Sequence, residues 1–147
     1  MKGNTHPYHF LWGAPVDEGI SSVQSMVDDL ARYEDHSIHY LVLSGHGITL
    51  DCGISASGGS IVADNMDSQQ ILDIRRKLAA DCVIEMAACH QAENPAACQT
   101  LATTLQASVL ATTGGVNYGN MSDGPWVMFR PSTPGTYWHP PLAPPIP

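Results

Sequence analysis

Two short segments carry side chains able to do chemistry together: Ser44-Gly45-His46-Gly47 and Ala87-Ala88-Cys89-His90. A free thiol has a pKa of about 8.5, so at neutral pH it needs a base or positive surroundings to become a nucleophilic thiolate. An imidazole is the usual neighbour for that task. Each candidate follows a run of strand-forming residues, 38–43 before His46 and 83–88 before Cys89. If the two runs are parallel neighbours, both groups emerge at the carboxyl edge of a sheet, where open α/β sheets hold their ligands.

The elements that must position these groups alternate along the chain. Residues 8–12 read as a strand. In 20–33, Ile20, Val23, Met26, Val27, Leu30 and Tyr33 draw an apolar stripe down one helix face. The run 38–43 is nearly all apolar, as suits a strand covered on both faces. Glycines and alternating Ile and Val in 48–63 predict a β-hairpin or a long glycine-rich loop. Asp67 or Ser68 caps a second helix with Ile71, Ile74 and Leu78 on its stripe, and Asp81 and Cys82 introduce the next strand. Asn94-Pro95 starts a third helix, since Asn is a good N-cap and Pro at the first helical position loses no bond. Its inner face holds Cys98, Leu101 and Leu105, and strands follow at 108–113 and 126–129. This alternation predicts an α/β sheet with helices on both faces.

At 147 residues the chain suits one domain. With 44% hydrophobic and 14% charged residues, it has enough apolar content for a packed interior. Six basic against 14 acidic residues give a net charge of -8, and Arg75-Arg76-Lys77 is the sole basic cluster. That composition argues against a nucleic-acid partner, whose affinity depends on clustered cations, and Arg75-Arg76-Lys77 reads as a solvated helix face. No segment has the length and apolarity to span a bilayer, and no basic start followed by an apolar stretch marks a secretory signal. A cytoplasmic protein with no membrane partner and reduced thiols is expected, a Cys82–Cys98 disulfide being the alternative. Seven of the eleven prolines fall in the last seventeen residues. That divides the chain into a folded domain, 1–130, and a Pro-rich tail, 131–147, expected to lie against its own domain or a sister subunit.

The order of elements and the two motifs resemble the caspase-type cysteine peptidases, the group of caspases, metacaspases, separases, gingipains and CHAT domains. In that family a His-Gly pair ends one strand and a Cys ends the next; here 43 positions separate His46 from Cys89, near the roughly 50 of caspases. Cys89-His90 is similar to the metacaspase motif, and Gly45-His46-Gly47 to CHAT and separase domains. The resemblance covers about 8–131. It implies a three-layer αβα sandwich with a mostly parallel central sheet, its N-terminal unit shortened because most members carry another strand and helix before the matched segment. It implies a cysteine endopeptidase without cofactor or metal, acting on a protein or peptide substrate. Cys89 is the nucleophile, His46 the acid and base, and the backbone amides of Gly47 and Cys89 the oxyanion hole. The substrate strand is expected beside 112–116, with Thr113 and Gly114 as binding residues.

Several positions depart from the family pattern. Ala87 stands where metacaspases carry an acidic residue for a basic substrate side chain, and Gln91-Ala92 replaces the usual small Ser-Gly turn. Asp51, after the His motif, offers a negative charge to a substrate or forms a turn. Glu85 shares a strand face with Ala87 and Cys89. A buried carboxylate wants a partner, so Glu85 either bonds a backbone group or a tyrosine, or lines the substrate pocket. His6, His9, His36, His39, His90 and His139 show no helical zinc spacing; His39 is expected to make an ordinary hydrogen bond. The shortened sheet is expected to leave an edge that a homo-oligomer or a partner protein covers. The competing reading is a catalytically inactive module on the same fold, serving protein binding or assembly. A nucleotide-binding domain fits less well, because Ser57-Gly58-Gly59-Ser60 precedes a strand-like segment rather than a helix.

Overall fold

The computed structural model describes residues 8–12, 20–45, 47–48, 51–56, 58–115 and 124–131. In chain order the elements are β1 (Tyr8–Trp12), α1 (Val23–Leu30), β2 (Ile38–Ser44), β3 (Gly47–Ile48), β4 (Asp51–Ile54), β5 (Ile61–Val62), α2 (Ser68–Lys77), β6 (Leu78–Ala87), α3 (Pro95–Leu105), β7 (Ser108–Thr112) and β8 (Trp126–Phe129). The main sheet has the order β1-β2-β6-β7-β8, parallel from β1 to β7 with β8 antiparallel. β3, β4 and β5 form a separate small antiparallel sheet. The architecture is a layered α/β sandwich, a largely parallel mixed sheet flanked by helices.

Local chemistry sets the helix starts. Ser22 accepts from the Ser25 amide while the Ser25 hydroxyl accepts from the Ser22 amide, and Asp67 and Gln70 make the same reciprocal pair before α2. Asn94 accepts from the Ala97 amide, with Pro95 at the first helical position of α3. The predicted stripe of α1 is buried throughout, including Ile20 and Tyr33, which flank the helix rather than extend it. α2 stops earlier than its apolar stripe predicts. Leu78 turns to an extended backbone and pairs with Ile38, so the strand begins there and not at Asp81. β6 then accommodates extra residues: Ile38 pairs with Leu78 but Tyr40 with Val83, and the exposed Asp81 accepts a 2.8 Å bond from the ring of His39.

The connections β1-α1-β2, β2-α2-β6 and β6-α3-β7 all step the same way across the sheet. Right-handed crossovers therefore carry α1, α2 and α3 to a common face, so the described helices lie on one side of the sheet where the alternation predicts them on both. Their buried side chains Met26, Leu30, Ile74, Cys98 and Leu101 share one core with Leu41, Leu43, Ile84, Met86, Val109 and Phe129 of the strands. The alternate strand residues Leu110, Trp126 and Met128 form a second cluster with Val83 packed against it.

Of the basic run, Arg75 and Arg76 are exposed, but Lys77 folds back to bond the Tyr33 carbonyl and Asp35. Among the described residues no helix is long and apolar enough to cross a membrane. The Pro-rich segment beyond Pro131 lies outside the described residues, as does Val116 of the expected substrate-binding segment.

Candidate active site

β2 and β6 are parallel neighbours, and their pairing ends with Ser44 opposite Ala87. The chain leaving β2 stays with the chain leaving β6. The Gly45 amide donates to the Ala87 carbonyl at 3.4 Å, and a Cβ on Gly47 would lie 2.5 Å from the Cys89 carbonyl oxygen and 3.4 Å from the Cys89 nitrogen. Residues 45 and 47 thus both contact 87–89; His46 between them lies outside the described residues. Gly47 is required here because the backbone of residue 89 comes so close, a reason beyond the substrate access expected from sequence.

After Ala88 the chain turns. Cys89 is exposed, and His90 adopts a left-handed conformation with φ 61° and ψ 24°. The His90 amide donates to the Gly114 carbonyl at 2.9 Å. Its Nδ1 lies 2.8 Å from the Thr113 carbonyl and 3.2 Å from a Glu93 carboxylate oxygen. Two acceptors at one ring nitrogen place the proton on Nδ1. Thr113 and Gly114 are thereby brought to the Cys89–His90 turn through their carbonyls. Their amides bond the Pro125 carbonyl and the Thr112 hydroxyl.

The four cysteines separate sharply. Cys52, Cys82 and Cys98 are buried and Cys89 is exposed, all four as free thiols. Burial pushes the Cys82 thiol up to about 12, with Asp81 adding to the rise. The Cys52 thiol is raised well above its ordinary value by its contact with the Cys98 thiol, then by burial. Cys98 therefore neighbours Cys52, and its sulfur donates to the Gln91 carbonyl at 3.3 Å. Among the described residues no three His, Cys, Asp or Glu side chains are placed to hold a metal ion.

Glu85 and Asp51 reach other surroundings. Glu85 is fully buried, and its Oε1 accepts from the Tyr40 hydroxyl at 2.6 Å, so a tyrosine partner is what it finds. Its Oε2 has no hydrogen-bond partner among the described residues. Burial raises the carboxyl above its ordinary value, opposed by the Tyr40 bond. Asp51 opens β4 and lines a cavity of about 80 Å³ with Cys52, Asp64, Ala97 and Thr100, on the α3 side of the small sheet.

Gln91 went unassigned in the sequence beyond being a departure from the family turn. It is buried, its Oε1 accepts from the Gly53 amide at 2.7 Å, and its Nε2 donates to the Cys89 carbonyl at 2.9 Å. The available signal was a glutamine where the peptidases that the sequence resembles carry a small turn residue; its partners needed the fold. No family model, curated protein or solved structure matches the chain.

Proposed function

We propose that the chain is a cysteine endopeptidase of the caspase type, with Cys89 and His46 as its dyad and a protein or peptide as its substrate. The observation that carries this reading is the meeting of the two motifs beyond adjacent parallel strands, with Gly45 bonded to Ala87 and Gly47 packed on Cys89. In sequence both candidate residues follow, two positions on, the Ser44–Ala87 pair that ends the two strands. The exposure of Cys89 alone among four cysteines adds to it, as does the small antiparallel sheet between the His motif and the helix leading to the Cys strand.

In the proposed reaction the Cys89 sulfur attacks the scissile carbonyl carbon while its proton passes to His46. A sulfur–carbon bond forms, and the carbonyl electron pair moves to oxygen, where the amides of Gly47 and Cys89 receive it. Collapse of this oxyanion breaks the carbon–nitrogen bond, and His46 gives the proton to the leaving amine. Water, deprotonated by His46, then cleaves the thioester and restores the thiol. Thr113 and Gly114, tied to the His90 turn, border the substrate. Asp51 lines the cavity beside α3 and Glu85 is buried against Tyr40, and the proposed reaction draws on neither.

The test is incubation of the full chain with a peptide library, with new termini read by mass spectrometry against a Cys89→Ala control. Cleavage by the parent chain and none by the variant is expected. Equal patterns from both contradict the proposal and favour the inactive assembly module.

A further inference from the structure

Two segments distant in sequence, the small sheet and the turn after β6, meet at one buried side chain. Gln91 is 2% exposed, in the turn between β6 and α3. Its backbone is rooted in that turn, because its carbonyl accepts from the Asn94 amide and from the Cys98 thiol. Its carboxamide reaches out in two directions, taking the Gly53 amide from β4 on its oxygen and giving its nitrogen to the Cys89 carbonyl. The reverse placement of oxygen and nitrogen would set N–H against N–H and C=O against C=O, so the network fixes the orientation. The same nitrogen is the nearest atom to where a Gly47 side chain would begin.

The peptide joining Cys89 to His90 is consequently gripped at both ends: its C=O by Gln91 and its N–H by the Gly114 carbonyl. That grip holds His90 in the left-handed region, which a residue with a side chain occupies only where the surroundings over-determine it. Rotation of this peptide would swing the Cys89 carbonyl dipole and turn the thiol away from its neighbours. A carbonyl oxygen loose beside Gly47 would oppose the negative charge that an oxyanion site must accept.

We infer that Gln91 is a positioning residue for the nucleophile: it holds the Cys89–His90 peptide in the orientation that keeps the oxyanion site open, and it does so from the small sheet through Gly53. This rests on the nucleophile reading of Cys89 and extends it to a residue outside the dyad. The small sheet becomes one wall of the nucleophile turn, so a shift of β4 is transmitted to Cys89 through a single amide.

The test uses the full chain with Gln91→Met, which keeps length and volume and removes both bonds, and Gln91→Glu, which keeps an acceptor for Gly53 and removes the donor to Cys89. Three quantities are read: backbone amide exchange by NMR, the iodoacetamide rate at Cys89, and affinity for a set of tripeptide aldehydes, whose thiol adduct needs an oxyanion site. Exchange at His90 is expected to rise about tenfold while Ile84 and Met86 keep their protection. Aldehyde affinity is expected to fall about tenfold or more, with the iodoacetamide rate changed by less than about threefold, since alkylation forms no oxyanion. Unchanged His90 exchange in both variants overturns the inference. Protection lost evenly along β6, or failure of both variants to fold, also overturns it by marking Gln91 as a general packing residue. A parent chain that binds no aldehyde, with His90 exchange still raised in the variants, removes the peptidase reading and leaves Gln91 as the holder of this peptide.

Discussion

Gly47 lies so close to the main chain of Cys89 that a Cβ at position 47 would stand 2.5 Å from the Cys89 carbonyl oxygen. The obstacles are that carbonyl and the buried Gln91 carboxamide bonded to it, on a turn gripped from both sides, so little can yield. Gly47→Ala is expected to cost about 1–3 kcal/mol, the usual range for overpacking, and to slow alkylation of Cys89 by displacing its turn. Thermal unfolding and alkylation kinetics check this together; an unchanged rate at parent stability would show that the contact relaxes freely.

Exposure alone predicts thiol selectivity. Iodoacetamide applied to the folded chain modifies Cys89 and spares Cys52, Cys82 and Cys98, which are buried. Cys82, its thiol pushed up to about 12, stays unmodified through the neutral and mildly alkaline range and reacts only on unfolding. Peptide mapping after timed alkylation reads all four sites. Early modification of Cys82 or Cys98 would contradict the burial on which the assignment of Cys89 depends.

Glu85 gives stability a pH dependence of known sign. Burial raises its carboxyl in the folded chain, the Tyr40 bond opposing, so the folded state holds this proton more tightly than the unfolded state. The contribution is fully present below the unfolded value of about 4.3 and is lost as pH rises through the folded value. Glu85→Gln, which cannot ionise, escapes that loss. Its melting temperature relative to the parent should climb from about pH 4 to about pH 8, and a difference constant over that span would contradict the account.

Among the described residues the five-strand sheet ends at β1 on one side and β8 on the other. Strand edges carry backbone groups that seek a ladder partner, and the proposed assembly covers one of them with a second copy or another protein. Light scattering at micromolar concentration is expected to give a mass above the monomer; a monomeric mass argues against self-assembly.

Much of the scaffold was legible because local chemistry set it. The stripe of α1, the Asp67 cap and the Asn94-Pro95 start each depend on residues a few positions apart. Leu78 was misassigned because an apolar residue satisfies a helix stripe and a buried strand equally well, and only its pairing with Ile38 decides. The glycine-rich stretch gave a hairpin or a loop; the pairing of Gly53 and Ile54 with Val62 and Ile61 makes it a three-stranded sheet. In the site, the Tyr40–Glu85 bond follows from a register that sequence does not specify. The role of Gln91 rests on the Gly53 amide, 38 positions away.

The alkylation rate of Cys89 as a function of pH, compared between the parent chain and His46→Ala, tests the central claim most directly. A dyad predicts rapid reaction well below the ordinary thiol range of about 8.5, and loss of that low-pH reactivity when the imidazole is removed. Superimposable profiles, both rising only near the ordinary thiol value, would contradict it.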